Sequence, residues 1–164
     1  MIVKTIFLLL VLMTISITSW SADQAVGFKK INQKGSHFYY SGKVILEGEY
    51  RYSKSDEDQE VIGDQVCFHP SKKDGKLIPR DNDDHRSPWF CFENTQQAKN
   101  LLDLSDLLKN PKVCEVSGVV TVEITNYVVD KAETETNDIA YLVKIIKKSK
   151  PKTKVFLKSD QECH

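Results

Sequence analysis

Two stretches of this chain alternate apolar and polar residues over an unusual length. In residues 43–52, Val44, Leu46, Gly48, Tyr50 and Tyr52 share one side, with Lys43, Glu47, Glu49 and Arg51 on the other. In residues 114–129, Val116, Gly118, Val120, Val122 and Ile124 alternate with Glu115, Ser117, Thr121, Glu123 and Thr125. Successive side chains on a strand point to opposite faces, so each stretch reads as a strand with one face buried. Strands this long commit the chain to a sheet whose apolar side is covered. Gly48 in mid-strand predicts a bend or a bulge.

The remaining segments fill in around them. Residues 61–69 read as a second strand, ended by Pro70, which cannot donate to a sheet ladder. Residues 89–92 read as a short, strongly apolar third strand, and residues 139–147 as the last, with Ile139, Tyr141, Val143 and Ile145 inward. An acidic turn at 53–60, a polar loop at 71–88 and another at 131–137 separate them. Between the third and fourth strands the period changes. Asn94 and Gln97 have the spacing of a capping box. Ala98, Leu101, Leu102 and Leu108 follow at helical spacing with Ser105 on the same face, and Asn110-Pro111 stops the helix, predicted over 95–109.

The order strand, strand, strand, helix, strand, strand over residues 43–147 makes this a mainly β (α+β) chain. It is what a small five-stranded OB-like Greek-key barrel, with one helix between strands 3 and 4, would show. The alternative is an open antiparallel sheet with one packed helix. Residues 22–42 form a lead-in and residues 148–164 a lysine-rich tail. At 164 residues the chain has room for one domain. With 40% hydrophobic and 28% charged residues it is neither collagen-like, low-complexity nor a multi-span membrane protein.

Residues 1–21 read as a secretory signal peptide. Lys4 precedes an apolar run from Ile6 to about Ile17, and Ser19 and Ser21 supply the small side chains for cleavage after Ser21. The run is short for a membrane span, which needs about 20 apolar residues. The expected location is therefore outside the cytoplasm, in the periplasm or secreted. No Asn-X-Ser/Thr acceptor occurs, which leans towards a bacterial source.

Four cysteines in an exported chain predict two disulfides. Sequence allows three pairings. Cys67 and Cys91 sit in apolar runs read as neighbouring strands, which favours a bridge between them and leaves Cys114 with Cys163. No C-x2-C spacing suggests zinc or redox chemistry.

Among polar clusters, Asp81, Asp83, Asp84 and His85 could bind a metal, although the loop lacks the glycine and glutamate of an EF-hand, and Arg80 and Arg86 flank it. His69 ends the second strand beside Pro70. Trp89 and Phe92 flank the third strand, where an OB-type barrel presents its ligand face. Lys144, Lys147, Lys148, Lys150, Lys152, Lys154 and Lys158 form a run without acids that could meet an anionic surface. Against it, 23 basic residues balance 23 acidic ones overall, so nothing points to sequence-specific nucleic-acid binding. No G-x-S-x-G, HExxH, P-loop or G-x-G-x-x-G motif occurs.

The reading is an exported, disulfide-stabilised, non-enzymatic binding module without a cofactor. It would recognise a protein or glycan partner through Trp89, Phe92, His69, Arg80 and Arg86. The alternatives are a metal-dependent hydrolase using the Asp81–His85 loop and an anionic-surface (lipid or nucleic acid) binder using the lysine tail.

Overall fold

The computed structural model describes residues 27–132 and 137–155. The predicted signal peptide, Cys163 and Lys158 lie outside the described residues, as do residues 133–136 of the last polar loop. Among the described residues no helix is long and apolar enough to cross a membrane.

The described residues are mostly β. Among them seven strands, β1 (Lys29–Lys34), β2 (His37–Ser53), β3 (Cys67–Pro70), β4 (Phe90–Phe92), β5 (Val113–Asp130), β6 (Asp138–Lys148) and β7 (Lys152–Val155), form one mixed sheet. Among the described residues three short helices accompany it: α1 (Asp56–Ile62), α2 (Thr95–Leu101) and α3 (Leu104–Leu107), with a 3-10 turn at Asp74–Leu77.

The two long alternating stretches are the centre of this sheet. β2 and β5 pair antiparallel from His37↔Asp130 to Ser53↔Glu115. Their alternation is the one read from sequence: Val44, Leu46, Tyr50, Tyr52, Val116, Val120, Val122 and Ile124 are buried. β2 also pairs with β3, β3 with β4, and β4 runs parallel to β6, which pairs antiparallel with β5. The pairings therefore run from β2 through β3, β4, β6 and β5 back to β2. β1 and β7 add to the outer edges of β2 and β5.

Several expectations are corrected. The β2 register passes straight through Gly48, and its irregularity lies between Tyr40 and Lys43. Gly48 is there for a close approach instead: a Cβ would lie 2.3 Å from the His69 carbonyl oxygen and 2.8 Å from Pro70 Cα. In β6 the buried residues are Asp138, Ala140 and Leu142 rather than Ile139, Tyr141 and Val143, while Ile145 does pack against the core. Both sides of this strand are apolar, so the alternation does not choose a face, and a one-residue slip reverses every side chain.

The single helix predicted over 95–109 is two. Asp103 adopts the left-handed conformation (φ 58°) between α2 and α3, which rotates Leu104 into the core and leaves Ser105 exposed. Asn94 does not cap the helix with its side chain; its amide accepts from Leu142 N–H (2.9 Å) and donates to Leu142 C=O (2.8 Å), clamping β6. The acidic turn and the start of the second predicted strand are helix α1, with Ser55 accepting from Asp58 N–H as N-cap and Asp56, Glu57 and Asp58 in the first turn. Acids there are stabilised by the helix dipole.

Candidate functional site

The β3–β4 ladder places Cys67 opposite Cys91 and Phe68 opposite Phe90. Cys67 and Cys91 are disulfide-bonded, with Cα atoms 3.8 Å apart. Cys114 is also disulfide-bonded; Cys163, its expected partner, is outside the described residues. Alternation then sorts the neighbours. Phe68, Phe90 and Phe92 face the core and are fully buried. One step further along the ladder from Phe68 and Phe90, His69 lies across from Trp89. Their rings stack with centroids 5.7 Å apart and planes 12° from parallel.

Phe92 is thus not a surface residue. It packs against Phe68 and Phe90, at 6.2 Å and 5.7 Å between ring centroids. Trp89 is half-buried and His69 exposed. Desolvation by packed neighbours lowers the His69 imidazole below its ordinary value; Glu49 pulls it up and Arg51 down.

Two grooves flank this pair. The larger, about 610 Å³, is lined by His69, Lys72, Lys76, Ile78, Arg80 and Pro88, among others. The smaller, about 230 Å³, includes Arg51, Asp58, Val61, Ile62, His69 and Trp89. His69 belongs to both. In the smaller groove the hydroxyl of Ser53, then Ser55 and Arg51, hold the Asp58 carboxyl below its usual range against the opposing effect of burial. Arg51 reaches Asp58 at 3.2 Å and Glu115 at 3.3 Å.

The long loop 71–88 is anchored from beneath. Tyr127 donates its hydroxyl to Asp138 at 2.5 Å, and Arg80 pairs with the same carboxylate. Both Tyr127 and Asp138 are almost fully buried. Burial pushes the Asp138 carboxyl up, while the Tyr127 hydroxyl, Arg80 and Arg86 pull it down without cancelling that effect. Arg86 grips Asp84 with two parallel bonds, Nε–Oδ1 and Nη2–Oδ2, each 2.9 Å. That grip lowers the Asp84 carboxyl to about 2, with Arg80 assisting and burial opposing.

This network engages several of the candidate residues. Arg80 and Arg86 both pair with Asp84, within the loop, and with Asp138. Asp84 is held by two guanidiniums, which compete with any cation. Asp81 and Asp83 face Lys131 at 2.5 Å and 3.5 Å, and His85 is exposed. Among the described residues no group of three or more His, Cys, Asp or Glu could hold a metal ion, so the Asp81–His85 cluster does not assemble one. The lysine run is also partly engaged. Lys144 pairs with Glu123 at 2.9 Å and Lys148 with Asp103, while Lys152 and Lys154 lie in β7.

Sequence reasoning missed Tyr127 and Asp138, because a lone acid at the start of a strand carries no periodic signal. Comparison with protein-family models, curated proteins and solved structures finds no match for this chain.

Proposed function

We propose that this is an exported, non-enzymatic binding module whose ligand face is the outer side of β3 and β4. The observation that carries the reading is the His69–Trp89 stack, standing between two grooves with the Cys67–Cys91 disulfide beside it on the same face of the ladder. Such convergence of an aromatic pair with a few placed polar groups in a concavity is what binding sites share. The supporting architecture is an OB-like five-stranded barrel, a reading drawn from the circuit of pairings through β2, β3, β4, β6 and β5 with the helices between β4 and β5. OB-type barrels bind over the two strands that correspond to β3 and β4. The partner is a protein or a glycan, and the place is the periplasm or the outside of the cell, where a disulfide persists.

The test compares wild type with Trp89→Ala on a glycan array and in pull-downs from a cell-envelope extract. The variant must first match wild type in circular dichroism. The reading expects a ligand held by wild type and lost at least tenfold by the variant. Equal retention of every ligand would remove this face from consideration.

A further inference from the structure

We propose that the larger groove takes the acid groups of an anionic glycan, a saccharide bearing carboxylate or sulfate, while Trp89 takes a sugar ring. This rests on the reading of the His69–Trp89 face as the binding face, and names the ligand class for it.

The groove's charge is of one sign. Lys72, Lys76 and Arg80 line it, and no carboxylate does. The acid that lies between the two lysines in sequence, Asp74, is directed elsewhere: its carboxylate accepts from Glu47 N–H at 2.7 Å on β2. Arg80 is answered by Asp138 and Asp84. Lys72 and Lys76 form no ion pair among the described residues, whereas Lys43, Lys99, Lys131, Lys144 and Lys148 all do. The uncompensated charge of the groove therefore resides on two lysines, beside the hydroxyls of Ser71 and Ser87.

His69 lines both grooves, so a chain of sugars laid across it meets the lysines on one side and the indole on the other. The apolar face of a sugar ring packs on an aromatic face, and its hydroxyls bond to carboxylates. The smaller groove offers both, Trp89 with Glu57 and Asp58. Arg51 offsets Asp58 there, so Glu57 is the acid that disfavours a continuous polyanion such as a nucleic acid, through like-charge repulsion. Alternating neutral and acidic sugars fit the two grooves; an unbroken phosphate backbone does not.

The experiment is calorimetric titration of the full chain at low salt with four probes. These are a hyaluronan tetrasaccharide, a chondroitin sulfate tetrasaccharide, neutral chitotetraose and an eight-residue oligothymidylate. Both acidic sugars carry uronate carboxylates and chondroitin sulfate adds sulfate esters, so tighter binding of the second than of the first reads the contribution of sulfate. The variants are K72A/K76A, the tail variant K150A/K152A and Trp89→Ala. The expected result is at least tenfold tighter binding of one acidic tetrasaccharide than of chitotetraose. K72A/K76A should lose that advantage, and K150A/K152A should stay within twofold of wild type. If chitotetraose binds equally well and Trp89→Ala abolishes both, the anionic ligand is wrong and the binding face stands. If Trp89→Ala leaves binding unchanged, the face itself is wrong. Loss in the tail variant alone, preference for the oligothymidylate, or no binding of any tetrasaccharide would also overturn the proposal.

Discussion

Removing the bridge between Cys67 and Cys91 tests how the ligand face is held. The two residues are 24 apart in sequence. A cross-link closing a loop of that length lowers the entropy of the unfolded chain by an amount worth about 3.4 kcal/mol at 25 °C. Both half-cystines are buried, at 3% and 0% exposure, so replacing them by alanine also leaves space that the packed aromatics beneath can fill only in part. The double variant C67A/C91A should therefore lose at least ~3 kcal/mol, and Cys114 keeps its own bridge throughout. In urea, with a slope of about 2 kcal/mol per molar, the midpoint falls by roughly 1.5 M. The slope itself should rise, because a chain freed of one cross-link exposes more surface on unfolding. The assay is equilibrium urea denaturation of oxidised wild type and variant, followed by fluorescence and far-ultraviolet dichroism. A midpoint shift below about 0.4 M with an unchanged slope would refute the reasoning, since the loop would then be held in both states by something else.

Two further outcomes are expected. Asp84 titrates at about 2 in the folded chain against an ordinary 3.8. Its depressed value contributes about 2 kcal/mol that is present above pH 3.8 and lost as pH falls towards 2. Asp84→Asn should flatten that part of the acid-unfolding curve, and an unchanged acid limb would contradict the Arg86 grip. Gly48→Ala places a Cβ 2.3 Å from a backbone oxygen of β3. Backbone cannot yield as a side chain does, so the cost sits at the upper end of overpacking, about 3 kcal/mol; a melting temperature within two degrees of wild type would contradict it.

How much of this was legible depends on where periodicity speaks. β2 and β5 announce themselves because their two sides differ in polarity. β6 does not, since Ile139, Tyr141 and Val143 compete with Ala140 and Leu142 for the core, and packing made the choice. β1 is exposed along its whole length, and its sequence carries no alternation to find. Two misses had a signal. Ser55 followed by Asp56, Glu57 and Asp58 is a helix start, hidden by reading acids as a turn. Trp89 and Phe92 differ by an odd number of positions, so on a strand they face opposite ways, and only one could belong to the surface. The Cys67–Cys91 bridge was found because it joins neighbouring strands. The anchoring of loop 71–88 was not, because it depends on Tyr127 and Asp138, two residues brought together by tertiary pairing alone.

The parallel pairing of β4 with β6 sets an order of events. Parallel neighbours cannot be joined by a tight turn, and here residues 93–137, with α2, α3 and all of β5, intervene. Contacts so far apart in sequence form slowly, because the chain must close a long loop before any contact rewards it. Until residues 138–148 have emerged during synthesis, Phe90, Cys91 and Phe92 present one unpaired edge. An apolar edge of this kind recruits other chains. A chain stopped before Asp138 should therefore aggregate, and β6, made late and followed among the described residues by β7, is the strand that makes the first half safe.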